Sequence, residues 1–168
     1  YLVAATLPGA LAGFLLEDLA ETLFRQPLLI GVALILMGAI LYWADRQGSK
    51  VLELDNMRFR TAFIIGLSQA LAIIPGVSRS GITMSAGMLT GMTRESAARF
   101  SFLLSTPIIF GAALVKAPEL IANPAMMDLQ FFVGVVVSCL VGLLSISFLL
   151  RFLQTRTFLP FAWYRFAL

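Results

Sequence analysis

The stretch "TAFIIGLSQALAIIPGVSRSGITMSAGMLTGM", Thr61 to Met92, consists of two apolar pieces parted by Pro75-Gly76. The first piece, Thr61–Ile74, has 14 residues. As a helix it would span about 21 Å, short of a hydrocarbon core about 30 Å thick. Proline then removes a backbone donor and glycine disfavours continuation, so the helix breaks there. The second piece, running on to Met92, is equally short and rich in glycine. Short segments interrupted by Gly and Pro mark broken or re-entrant helix pairs at binding sites. The expected element is a re-entrant hairpin over about 61–92 that enters and leaves on one side.

The rest of the chain supplies the setting. Of its 168 residues 60% are hydrophobic and 12% charged, and mean hydropathy is +0.93. A soluble domain carries roughly a quarter charged residues. Apolar stretches at Tyr1–Leu16, Pro27–Ala44, Phe100–Lys116 and Leu129–Leu150, with a further one from near Phe158, flank the hairpin. Strand-like alternation is absent, which argues against an outer-membrane barrel. The fold class is therefore an all-α polytopic membrane protein, a single membrane domain over 1–168. The chain starts at Tyr1 inside one apolar run and stops at Leu168 inside another, so we expect a piece of a longer protein.

Loop charge tests the hairpin. If it returns to the side it entered, one face gathers Arg46, Lys50, Arg58, Arg60, Arg94, Arg99, Arg151 and Arg156. The opposite face holds Arg25, Lys116 at a helix end, and the acids Glu17, Asp18, Glu21, Glu119 and Asp128. That asymmetry is what the positive-inside rule requires. A full crossing by Thr61–Ile74 alone would dissolve it. The net charge of +3 is spread over these loops and suggests no nucleic-acid partner. Cys139 stands alone and reads as a small packing residue. Histidine is missing, and with it the commonest general base.

The hairpin tip, Pro75–Thr83, then lies at membrane depth, where irregular backbone survives only if protein covers it or water reaches it. Arg79 there costs roughly 2.5–3.5 kcal/mol even on lenient insertion scales, so it needs an anionic partner. Its planar fork fits a phosphate or carboxylate bidentately. Gly76 and Gly81 let backbone N–H groups converge, Ser78, Ser80 and Thr83 add hydroxyls, and a helix starting near Ile82 would aim its positive end at the same place. Arg79 could instead be a structural strut paired with an acid. Gly87 and Gly91, a GxxxG pair, read as helix packing. Neither a P-loop nor a G-x-S-x-G elbow is present.

"PGVSRSGIT", Pro75 to Thr83, resembles the PGxSRSxxT signature of the undecaprenyl-diphosphate phosphatase family, the bacitracin-resistance proteins. The likeness continues through "FRTAFIIGLSQALAIIPG", "GMLTGMTRESAARFSFLLSTPIIFGA" and "FLPFAWYRFAL". The resemblance implies an inverted-repeat fold, of which this chain would be one half, and hydrolysis of undecaprenyl diphosphate to the monophosphate carrier of cell-wall synthesis. It implies Arg79 and Ser78 as catalytic residues and Ser80 and Thr83 as substrate-binding ones, to which the backbone nest adds Gly76 and Gly81. Gln69 echoes the spacing of the first acid in the family's other signature, as a hydrogen-bonding partner or as a packing residue. A divalent cation, Mg²⁺ or Ca²⁺, is implied too, with its acids expected upstream of Tyr1 and no metal ligand within the chain.

Glu17 and Glu21 have the ExxxE spacing of the family's acids, but no serine-rich Gly-His segment follows them. We read them as a loop pair. Lacking the acid and histidine half, the 168 residues alone are expected to be inactive. The implied setting is the bacterial inner membrane, among membrane lipids, with the site reached from the periplasmic side; a homodimer is left open. The rival reading is an inverted-repeat transporter or flippase for an anionic lipid, since broken helices at the midplane also build transporters.

Overall fold

The computed structural model describes residues 1–22, 26–48, 50–123 and 127–168, and the side chains of these except 17–22. Glu17 and Glu21, read as a loop pair, lie instead within the helix Leu2–Thr22, with their side chains outside the description, and Arg25 lies outside the described residues. Among the described residues the chain is helical, with seven α-helices: α1 Leu2–Thr22, α2 Pro27–Gln47, α3 Phe59–Gln69, α4 Arg79–Leu89, α5 Arg94–Ala122, α6 Leu129–Thr155 and α7 Leu159–Ala167. Three of them, α2, α5 and α6, are long and apolar enough to cross a membrane. This is an all-α polytopic membrane protein.

Local chemistry sets the helix ends. Pro27 opens α2, where a missing N–H costs nothing. Thr93 caps α5 by accepting from the Ser96 N–H at 3.2 Å, and Asp128 caps α6 by accepting from the Phe131 N–H at 2.8 Å. Each satisfies a donor that the first turn leaves orphaned.

The segment around Pro75 folds as a hairpin. Arm α3 continues through a 3₁₀ turn at Ala70–Ile73, the chain bends at Ile74–Val77, and α4 runs back. Its two feet are joined. Leu52 and Met92 form a short parallel bridge, with Leu52 N–H donating to Gly91 O at 2.9 Å and Thr93 N–H to Leu52 O at 3.0 Å. The 45–60 connection and the start of α5 therefore share one end of the molecule, as the charge asymmetry required. That end is tied further by Asp45, which is buried and bridged by Arg94 at 2.5 Å. Lys50 donates to the Asp45 carbonyl, and Ser96 donates to Glu53 at 2.7 Å.

Helix α4 is the centre of the fold, packed against α2, α3 and α5. Met84, Met88, Met92, Phe100, Leu104 and Ile65 form the core around it. Small residues allow the close approaches. A Cβ on Gly66 would overlap the Ala5 backbone of α1, and one on Gly87 would stand 2.9 Å from Ala97 Cβ of α5. The GxxxG pair therefore divides its labour. Gly87 is the packing residue, while Gly91 lies past the end of α4 with φ +98° and turns the chain. Cys139 differs from the expected packing role: it is exposed on α6, a helix with almost no buried residue. Its sequence context could not reveal this, because lipid-facing and core-facing runs are equally apolar.

Candidate functional site

The first turn of α4 begins at Arg79, three residues before the start expected near Ile82. The reason is a cap. Ser78 Oγ accepts from the Gly81 N–H at 3.1 Å and starts the helix directly after the bend. Ser78 Oγ thus accepts from the backbone, and its O–H proton is free to donate; Ser80 Oγ lies 3.3 Å away, with either hydroxyl able to donate to the other. The Gly81 N–H is likewise taken. The N–H groups of Arg79 and Ser80, by contrast, make no backbone hydrogen bond among the described residues. They leave the positive end of the helix open.

Gly76 makes the bend possible. Its φ of +91° disfavours any residue with a side chain. A Cβ there would also come within 2.7 Å of the Ile30 carbonyl and 2.9 Å of Ala33 Cβ. The tip is therefore seated on α2, close to the end that Pro27 begins. Ala33 lies 15 residues before Gly48, which packs on Met88 near the feet, so the tip sits about 22 Å from the basic end.

Arg79 is half-buried, and its Nη1 is buried without a hydrogen-bond partner. No described carboxylate pairs with it, so the strut reading finds no acid here. Thr83 is placed otherwise than a pocket-lining hydroxyl would be. It is 1% exposed, donates back to the Arg79 carbonyl at 2.8 Å, and lies 2.7 Å from Ser101 Oγ of α5. It fastens α4 to α5 directly beneath the arginine. Gln69 closes α3, buried, with its unpartnered Nε2 beside Gly9 of α1; a Cβ on Gly9 would stand 2.6 Å away.

A second cation joins this turn. Arg165 of α7 lies against Gly81, so that a Cβ on Gly81 would stand 2.9 Å from Arg165 Nη2. Its Nη1 is also buried without a partner. Sequence reading gave Arg165 no role, although a lone cation in "FLPFAWYRFAL" poses the same question as Arg79. Arg165, Ser80, Gly81 and Tyr164 supply the polar groups of a mostly apolar cleft of about 330 Å³ between α2, α4, α5, α6 and α7.

Arg79 stands at the first residue of α4, and Arg165 of α7 approaches Gly81 of the same turn. With no described acid paired to either, this end of α4 is electropositive. Leaving a buried charge unpaired costs several kcal/mol, and a bound anion removes that cost. Donor set and sign both suit a phosphate group. No group of three or more His, Cys, Asp or Glu side chains that could hold a metal ion occurs among the described residues. Those residues by themselves therefore do not fit the implied divalent cation.

Known proteins resemble the chain over its whole length. Residues 1–168 match the family described as Bacitracin resistance protein BacA. An undecaprenyl-diphosphatase of Pelotomaculum thermopropionicum is 56% identical over 165 residues, covering 98% of this chain and 62% of that protein. One of Moorella thermoacetica is 55% identical over 168 residues, covering 100% of this chain and 64% of the relative. One of Desulforudis audaxviator is 54% identical, covering 98% and 62%. The chain thus spans a little under two thirds of the length of these relatives. A match that runs from Tyr1 to Leu168 and takes in the hairpin, its arginine and the α7 segment leaves one assignment: the chain belongs to the BacA family of bacitracin resistance proteins.

Proposed function

We propose that this chain provides the diphosphate-binding half of a polyprenyl-diphosphate phosphatase, acting on undecaprenyl diphosphate at the boundary of membrane and water. The observation that carries the reading is the unpartnered, buried Nη1 of Arg79 at the first turn of α4, with a second such Nη1 on Arg165, whose guanidinium reaches Gly81. Hydrolysis adds water across the anhydride. One P–O bond forms and the bridging P–O bond breaks, leaving the lipid monophosphate and inorganic phosphate. Phosphoryl transfer of this kind depends mostly on positioning and on stabilising charge over the phosphate oxygens. Arg79 supplies charge and a bidentate fork. The Arg79 and Ser80 N–H groups and the Ser78 hydroxyl donate to the same oxygens, and Gly76 gives the bend that brings them together.

The names of the relatives support the substrate, and the electropositive turn supports the role of this half. The mechanism assigned to these residues ends at binding and charge stabilisation; the chain has no histidine to serve as base. A divalent cation, Mg²⁺ or Ca²⁺, belongs to the proposal only as a group held by acids outside the described residues. We place the protein in the bacterial inner membrane with the basic loops in the cytoplasm. The tip, seated near the opposite end of α2, favours access from the periplasmic side.

The test is phosphate release by the full-length protein in detergent, where lipid transport has no meaning. Arg79→Ala should lower kcat/KM about 10³-fold, the range seen when a transition-state donor is lost, with expression intact and Tm no lower than wild type. Wild-type turnover in that variant would refute the reading. An unaltered fold with no phosphate released even by wild type would favour the transporter instead. The 168 residues by themselves should release none.

A further inference from the structure

A separate cleft, of about 410 Å³, opens at the opposite end of the hairpin, between the start of α3, the segment 51–52 and the end of α4. Arg58, Arg60 and Thr61 line it on the α3 side, with apolar surface from Val51 and Ile64. Arg94 and Lys50, at this same end, are committed to Asp45 inside the fold. Arg58 and Arg60 are exposed instead, and neither pairs with a described acid. Thr61 is only 8% exposed, yet its hydroxyl makes no hydrogen bond among the described residues. The helix start is also uncapped. No side chain accepts from it, and the N–H groups of Phe59, Arg60 and Thr61 have no backbone partner. Toward the tip, the spacing of Arg60, Ile64, Leu67 and Leu71 places them on one face of α3 and its 3₁₀ continuation, and the three apolar ones are exposed. Beside the helix start, Tyr1, Phe59 and Phe63 lie in a row with ring centroids 6.1 and 6.2 Å apart. Aromatic side chains collect in this way at the headgroup level of a bilayer.

From this arrangement we infer that the cleft at the foot of α3 binds the phosphate of an anionic glycerophospholipid from the leaflet of the basic loops, with an acyl chain along the Ile64–Leu67–Leu71 face. The site is independent of the phosphatase reading and shares no residue with the α4 turn. Charge selects the head. Two guanidiniums, a buried hydroxyl and three unclaimed N–H groups are all donors, as a phosphate diester requires. The cleft lining holds no carboxylate, so nothing there would receive the ammonium of a zwitterionic headgroup. Basic pockets at the membrane surface draw anionic headgroups for the same reason. The apolar stripe selects a lipid over free phosphate, because it continues the cleft from Arg60 into the bilayer on the same helix face. A phosphate seated there caps α3, which no side chain of the chain does.

The test is photolabelling of the full-length protein in phosphatidylcholine nanodiscs that carry a small share of photoreactive phosphatidylglycerol. Labelled peptides should include 59–71, and unlabelled phosphatidylglycerol should suppress them while added phosphatidylcholine does not. Replacing both cations, Arg58→Gln with Arg60→Gln, should lower that labelling about tenfold. Arg79→Ala should leave it unchanged, which keeps this site apart from the α4 turn. Equal suppression by phosphatidylcholine would overturn the inference, since the contact would then be ordinary lipid packing. Equal suppression by inorganic phosphate would overturn the lipid assignment, and so would full labelling in the double variant. Should the double variant fail to fold, Thr61→Val takes its place with an expected loss of about threefold, the scale of one hydrogen bond. Undiminished labelling in a folded Thr61→Val protein would count equally against the site.

Discussion

The hairpin carries arginines at both ends and treats them in opposite ways. At the feet, Arg94 bridges Asp45 at 2.5 Å, while Lys50, Glu53 and Ser96 complete a closed set of partners. At the tip, Arg79 and Arg165 each bury an Nη1 that nothing described accepts from. The feet spend their charges on holding the chain together. The tip leaves its own without a described partner, a cost that the proposed diphosphate would offset.

Substitutions can break this contrast. The largest effect belongs to the tip: Arg79→Lys keeps the charge but loses the fork, and phosphate release by the full-length protein should still fall by 10²-fold or more, on the order of 3 kcal/mol. Activity close to wild type would mean that charge alone suffices. Gly76→Ala should follow. A methyl group at φ +91°, crowded by the Ile30 carbonyl, should destabilise the fold by about 2–3 kcal/mol, seen as a lower Tm together with lost activity.

Asp45→Ala at the feet should give the reverse signature. Freeing the partly exposed Arg94 should lower stability by about 2 kcal/mol while each folded molecule keeps its turnover. A selective loss of turnover there would erase the distinction between the two ends. The smallest change is Thr83→Val, which removes the bond to Ser101 with little change of shape. It should cost about 1 kcal/mol in thermal or denaturant unfolding, with no change in pyrophosphate inhibition. Weakened inhibition would return Thr83 to the binding surface.

The hairpin itself was legible in sequence because two independent quantities agreed, the shortness of Thr61–Ile74 and the sign of the loops around it. The Leu52–Met92 bridge joins the feet as that agreement demanded. Its finer chemistry was less visible. A serine before an arginine reads equally as a ligand donor and as a helix cap, and only the bond from the Gly81 N–H separates the two. Thr83 follows from the same ambiguity, since a helical hydroxyl faces a ligand or a neighbouring helix according to packing that one strand of sequence does not encode. Arg165 could have been found: a single cation within an apolar terminal helix invites the reasoning applied to Arg79. What sequence could not supply was the bare backbone of Gly81, which lets a guanidinium from a distant helix settle on the same turn.

That contact bears on more than recognition. Cations buried without a partner beside a helix N-terminus carry a desolvation cost, so the empty site works against folding and an anion bound there would support it. Anion binding is then thermodynamically linked to stability, and a competitor such as inorganic pyrophosphate at a hundred times its dissociation constant should contribute about 2.7 kcal/mol. A protein purified without phosphate should melt measurably earlier than the same protein purified with it.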